Sequence, residues 1–580
     1  MRLLLAVLLT LPLYAQVPSQ DARTTTVPNT DTHFRMPAYR TLAEWEARKE
    51  HLRKQILSAA GLLPMPAKSP LNPQVFGRIQ GPGYTIEKVL LETLPGYWLG
   101  GNLYRPAGKN GPFPAIASPH GHWNYGRLEH SVNGSIPARC INLARQGHIV
   151  LAYDMVGYND TIQTPHAFGG KREQLWAFGP LGLQLWNSIR VVDFLAGLPD
   201  VDPARIGATG ASGGGTQTFL LTAVDDRVKF SAPVNMISAI MQGGSPCENA
   251  PNLRIGANNM EFGAMMAPRP MLMVSATGDW TRNTPKEEFP AVQSIYKLYG
   301  KPENVETIQI DAPHNYNQQS REAVYRFFGK RVLGSTDAGT FVEKSIRVEK
   351  LQDMLSLHNR KLPDNAVTYD QLFNKWIDIA GSQNADVSNR AAVRERLALA
   401  LMAEWPAKVL AETSGERLVL GRPGAGDRVP AIHVSGKGAP VLIVHPEGAE
   451  AGRRSPEAQQ YLRAGRPVLL IDAFQTGSAV AKRDTSHQHF LTFNKTDDAN
   501  RVQDILTALA YLNRRDVTLV GAGKAAVWCF FAAALAENPV ALKTTLGAFK
   551  GQDEDFMRDF FVPGIQRAGG LKAAQALLPR

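Results

Sequence analysis

The sequence predicts an α/β protein: a doubly wound, mostly parallel sheet, followed by a second, truncated version of the same sheet. Three observations carry this. Short apolar runs alternate with amphipathic stretches of roughly 10–20 residues, the grammar of parallel strands joined by helical crossovers. One such run, ending at Ile206, opens directly into GATGASGGGTQTFLL (207–221), a glycine-rich turn leading into a helix. The same order of segments then starts again near Arg417. At 580 residues the chain exceeds what one hydrophobic core organises, so size alone asks for two domains.

Taken in order, residues 1–16 (MRLLLAVLLTLPLYAQ) hold one arginine, an apolar stretch from Leu3 to Leu13 and a small Ala15 at a cleavable position. They read as an export signal, shorter than the ~20 residues of a membrane span. The expected location is secreted or periplasmic, with no membrane attachment after cleavage. Residues 17–40 are polar and Pro/Thr-rich, an extended lead-in. TLAEWEARKEHLRKQILSAAGLLP reads as a helix capped by Thr41 and ended by Gly61 and Pro64. YTIEKVLLETL and YWLGGNLYRP are strands split by Pro95-Gly96. FPAIASPHGHW, HIVLAYDMVGYN, RIGATGAS, VKFSAPVNM, RPMLMVSATGD and ENVETIQIDAPHNY are further strands, and SREAVYRFFGKRV is a closing helix. A linker is expected around Gly334–Lys344, then two helices, TYDQLFNKWIDIAG and RAAVRERLALALMAEW. The predicted domains are 17–335 and 345–580.

Composition narrows the function. The net charge is +11, but Lys and Arg are scattered, without the aromatic-interleaved basic patches of a nucleic-acid binder. Three cysteines (Cys140, Cys247, Cys529) are too few for a disulfide framework, leaving only a Cys140–Cys247 bridge to consider. No metal site is expected: His120 and His122 lack an accompanying H-x-x-x-H helix or Cys/His cluster. No phosphate-binding or dinucleotide motif appears, so no cofactor is expected.

The chemistry centres on Gly210-Ala211-Ser212-Gly213-Gly214, a G-x-S-x-G between a strand and a helix. Such an elbow lifts a serine hydroxyl above the sheet edge and turns the following N–H, that of Gly213, toward a developing oxyanion. Serine needs a base, and the base an orienting acid. Asp279, after RPMLMVSATG, and His314, after ENVETIQIDAP, sit at the ends of later strands in the required order. Glu248, in GGSPCENAP, is the competing acid, or else a substrate contact. The loop SPHGHWNYG offers the His122 N–H as second oxyanion donor, with His120, Trp123 and Tyr125 as candidate pocket residues.

The segments PHGH, GASGGGTQT, APRPMLMVSATGDW and DAPHNY together resemble the α/β-hydrolase superfamily, and within it the bacterial exported acetyl xylan esterase-like and dienelactone hydrolase-like group. The resemblance covers roughly residues 75–330 and implies the α/β-hydrolase fold and a serine carboxylic-ester hydrolase using Ser212, Asp279 and His314 through an acyl-enzyme. Its substrate would be a small-molecule or polysaccharide ester. A serine peptidase of the same fold and a non-catalytic glycan-binding protein are the alternatives.

Residues 440–580 replay the first domain. PVLIVHPEGAE matches FPAIASPHGHW, and LVGAGKAA matches IGATGASGGG, with Gly523 where Ser212 stood. Arg580 of LLPR follows Gly523 by the same interval as Arg269 of APRP follows Ser212. The second copy thus has no nucleophile and no counterpart of Asp279 or His314. It is expected to be inactive and to pack against the first.

Overall fold

The computed structural model describes residues 16–337 and 339–579; the export signal expected over 1–16 lies outside them but for Gln16. The first domain has the α/β-hydrolase fold. Its main sheet has nine strands, β1 (Gln74–Gly81), β2 (Tyr84–Leu94), β3 (Tyr97–Pro106), β4 (Phe113–Pro119), β5 (Ile149–Tyr153), β6 (Val201–Ala211), β7 (Val228–Val234), β8 (Met271–Gly278) and β9 (Val305–Pro313). Their spatial order is β1-β2-β3-β5-β4-β6-β7-β8-β9. β1, β2, β3 and β5 pair antiparallel, and every later pair is parallel. Parallel strands need long crossovers, and helices supply them on both faces, which is why β4 and β5 are buried almost throughout.

The helices begin where side chains satisfy free N–H groups. In α1 (Leu42–Ala59), Thr41 and Glu44 form a reciprocal capping box. α2 (Pro180–Ala196) starts on a proline, whose missing N–H costs nothing there. The segment read from sequence as linker and second-domain start belongs by packing to the first sheet. Phe341 and Met354 enter the core on one face, and Leu372, Phe373 and Trp376 the core on the other.

The second sheet contains β10 (Leu410–Ser414), β11 (Arg417–Gly421), β12 (Val429–Val434), β13 (Val441–Val444), β14 (Val468–Ile471), β15 (Thr518–Gly521) and β16 (Ala541–Lys543). Its order, β10-β11-β12-β14-β13-β15-β16, repeats the first seven positions of the first sheet. Among the described residues, nothing stands in the places of β8 and β9. The elbow after β15 survives without its serine: Gly523 keeps a positive φ of 51° beside the 58° of Ser212.

The two domains share a packed interface. Leu175, from the first, is fully buried in the core of the second. Buried Arg567 donates to the carbonyls of Gly61 (2.8 Å) and Pro64 (2.6 Å). The lead-in crosses the same boundary. The Val17 N–H donates to Glu412 (3.1 Å) and Arg23 pairs with buried Asp504 (2.6 Å), whereas further on the Phe34 N–H donates to Ala239 (2.8 Å) in the first domain. All three cysteines are free, so the Cys140–Cys247 bridge is not formed.

Leu175→Ala is expected to destabilise the chain by about 2–5 kcal/mol, the usual cost of emptying a leucine site in a core. The midpoint of urea unfolding should fall accordingly, while Leu351→Ala, at a position 42% exposed, leaves it in place.

Candidate active site

Ser212 stands between β6 and the helix α3 (Gly213–Val224) with φ 58° and ψ −128°, a conformation that side-chain-bearing residues avoid. Two backbone bonds hold it there: its N–H donates to Val234 O (3.2 Å) and its carbonyl accepts from Thr216 N (3.0 Å). The flanking glycines are steric necessities. A Cβ on Gly210 would lie 2.6 Å from the carbonyl oxygens of Gly214 and Pro119, and one on Gly214 would lie 2.8 Å from Pro119 O. Strand, helix and the loop after β4 therefore meet with no room for a methyl group.

The ends of β8 and β9 bring the other two residues together. Nδ1 of His314 donates to Oδ2 of Asp279 at 2.7 Å, with the carboxylate nearly sealed from solvent and the imidazole about a quarter exposed. The other carboxylate oxygen accepts from the N–H (2.7 Å) and hydroxyl (2.5 Å) of Thr281, which fixes its orientation. Because Nδ1 is the donor, Nε2 is the atom left to act as base. Trp280 lies against the imidazole, ring centroids 4.3 Å apart, and anchors its indole N–H on Asn235 O (3.1 Å). Asn235 follows the strand that holds the Ser212 N–H, and its amide donates to Asn315 O (2.9 Å), beside His314. This short chain of contacts draws the elbow and the Asp279–His314 pair to one end of the sheet. Nε2 of His314 is buried and has no hydrogen-bond partner among the described residues, so the serine–histidine bond is not made.

Glu248 is occupied elsewhere. One oxygen accepts the N–H groups of Gly244 (3.0 Å) and Ser245 (3.1 Å), the other the Thr216 hydroxyl (3.2 Å). Its carboxylate braces a loop against the base of α3. The His122 ring packs on the elbow, since a Cβ on Gly213 would meet its Cε1 at 2.6 Å. His120 does not line a pocket. Its ring is 1% exposed, with Nδ1 donating to Gly121 O (2.7 Å) and Nε2 accepting from Met155 N (3.0 Å). Burial drives its pKa down to about 3, so it remains neutral and pins the loop. Trp123 packs beside Gly134, and Tyr125 is 55% exposed.

Two further side chains reach this loop: His166, which no sequence pattern singled out, and Cys247, considered there only for a disulfide. Nε2 of His122 lies 3.1 Å from both His166 Nε2 and Cys247 Sγ. A cavity of about 810 Å³ lies between the domains, lined by Phe168, Pro246, Asn249, His489 and Phe561 among others. None of Ser212, Asp279 and His314 lines it, although Pro246 and Asn249 flank Cys247 and Glu248.

Comparison with known proteins now adds weight. Methylesterase BT1017 is 32% identical in sequence, the alignment covering 60% of this chain and 78% of that one, with a TM-score of 0.51. The chain belongs to the α/β-hydrolase esterases. A Bacillus subtilis (strain 168) protein described as "Putative hydrolase YtaP" is 25% identical over 304 residues, 48% of this esterase and 98% of that protein. An acetyl xylan esterase-like structure from Bacteroides fragilis NCTC 9343 covers 61% of this chain at 15% identity and TM-score 0.41. No family model matches the chain. It is a carboxylic ester hydrolase.

The buried imidazoles His120 and His148, lowered to about 3 and about 4 by burial, set an acid limit on the fold. Their folded pKa values lie below the ordinary 6.5, so the stability they contribute is full above pH 6.5 and lost as pH falls toward 3–4. Each should cost roughly 1.4 kcal/mol per pH unit across that window. Urea midpoints measured from pH 7 to pH 4 should show the decline, and His148→Gln should make it shallower by one proton.

Proposed function

We propose that this esterase hydrolyses its substrate through Ser212, His314 and Asp279. His314 Nε2 takes the proton of the Ser212 hydroxyl as the oxygen attacks the ester carbonyl. The N–H groups of Gly213 and His122 receive the negative charge of the tetrahedral intermediate. Collapse expels the alcohol, protonated by His314, and leaves an acyl-enzyme that water opens in a second, mirrored step. Asp279 holds the imidazole in the tautomer that keeps Nε2 free. The 2.7 Å contact between His314 and Asp279, together with a serine held in strained backbone at the elbow, carries this reading.

The substrate is proposed to be an ester on a polysaccharide outside the cytoplasm, reached after export on residues 1–16. Among the described residues no helix is long and apolar enough to cross a membrane. An acetylated sugar would place the carbohydrate on the alcohol side. The likeness to a methylesterase favours a second form, a methyl ester of a sugar acid, in which the carbohydrate is the acyl group.

The test is release of acetate from acetylated xylan against methanol from methyl-esterified pectin, with p-nitrophenyl acetate and a chromogenic peptide as controls. Ester turnover by the intact chain, and its loss in folded Ser212→Ala, is the expected result; peptide turnover alone would refute the proposal. Asp279→Asn should lower kcat by roughly 10²–10⁴-fold, because it permits the wrong tautomer. Glu248→Gln should change kcat far less, and the reverse ranking would move the acid to Glu248.

A further inference from the structure

His122, His166 and Cys247 come from three separate loops, yet their ligating atoms all lie within 4.8 Å of one another. His122 Nε2 is 3.1 Å from His166 Nε2 and 3.1 Å from Cys247 Sγ. The Ser245 hydroxyl completes a fourth corner, 3.4 Å from His166 Nε2 and 3.5 Å from Cys247 Sγ. A tetrahedral zinc ion with bonds of about 2.0–2.1 Å to nitrogen and 2.3 Å to sulfur separates its ligand atoms by about 3.3–3.6 Å, close to the 3.1 Å between His122 and each of its two neighbours. The tautomer is already set. Nδ1 of His166 is 2.8 Å from the carbonyl of Val156, which can only accept, so Nδ1 carries the proton and the Nε2 lone pair faces the other two groups. The thiol is buried, the His166 ring half-buried and the His122 ring exposed, leaving an ion a route from solvent.

We propose that His122, His166 and Cys247 form a binding site for a thiophilic divalent cation of the zinc type, with the Ser245 hydroxyl or water as fourth ligand. The ion displaces the Cys247 thiol proton: one Zn–S bond forms, one S–H bond breaks, and one proton passes to buffer for each ion bound. Both histidines bind as neutral rings. Imidazole nitrogen with thiolate sulfur suits zinc and cobalt and disfavours magnesium and calcium. The site does not depend on which residues run the hydrolysis.

The experiment uses the untagged, full-length chain, stripped with a chelator and titrated with zinc chloride by calorimetry in buffers of different protonation enthalpy. One zinc per chain and release of one proton are expected. Cobalt chloride should give the visible bands of a tetrahedral ion together with a thiolate-to-metal charge-transfer band in the near ultraviolet. Cys247→Ser and His166→Ala, with folding checked by near-ultraviolet circular dichroism, should each weaken zinc binding by at least about tenfold. Absence of stoichiometric zinc, a cobalt spectrum without the thiolate band, or unchanged affinity in either folded variant would overturn the proposal. Should the variants not fold, the cobalt spectrum of the unaltered chain decides.

Discussion

The first domain is organised around one unfavourable backbone conformation. A residue with a side chain sits at φ 58°, in a region whose occupation costs of the order of 1–3 kcal/mol, and the surroundings hold it there. That is possible because β6, α3 and the loop after β4 approach to within a methyl group at Gly210 and Gly214. The same approach sets the His120–His122 loop against the elbow, and the hydrogen bond from Ser212 N to Val234 O ties it to β7. Asn235, next along, reaches Trp280 and Asn315 and so the Asp279–His314 pair. Every part of the site is positioned relative to that bend.

Much of this was legible in the sequence, for reasons that can be named. β2 and β3 match the predicted runs residue for residue because apolar stretches were interrupted by Pro95-Gly96, which no strand continues through. The pairing of Asp279 with His314 could be anticipated because each follows the end of a parallel strand, where short turns place side chains at one edge of the sheet. β1 was not foreseen: QVFGRIQG is an edge strand, half exposed, with no apolar face to announce it. Nor was the gathering of His122, His166 and Cys247, since three loops distant in sequence leave no spacing to read. Trp280 could have been found, being adjacent to Asp279. The surroundings of Glu248 could not be read from sequence, because its partners are two backbone N–H groups of its own loop and the hydroxyl of distant Thr216.

The second sheet repeats the bend of the first without its serine. Gly523 preserves the bend with no hydroxyl to present, and Gly521 stands close to Ala525 O (2.8 Å from a built Cβ), as Gly210 does to Gly214 O. A positive φ that strains Ser212 is here adopted by a glycine, for which it carries no strain. The two domains are joined by Leu175, buried in the second core, and by Arg567, which donates to Gly61 O.

The lead-in has a consequence for how the molecule is made. The partners of Val17 and Arg23 in the second domain stand 395 and 481 residues further along the chain. These two contacts therefore form only after the chain has been made through Glu412 and Asp504, whereas Arg23 also pairs locally with Asp21. Closing loops of that length carries a larger entropic cost than closing short ones. The lead-in is thus clasped only where Glu412 and Asp504 have already been folded beside it.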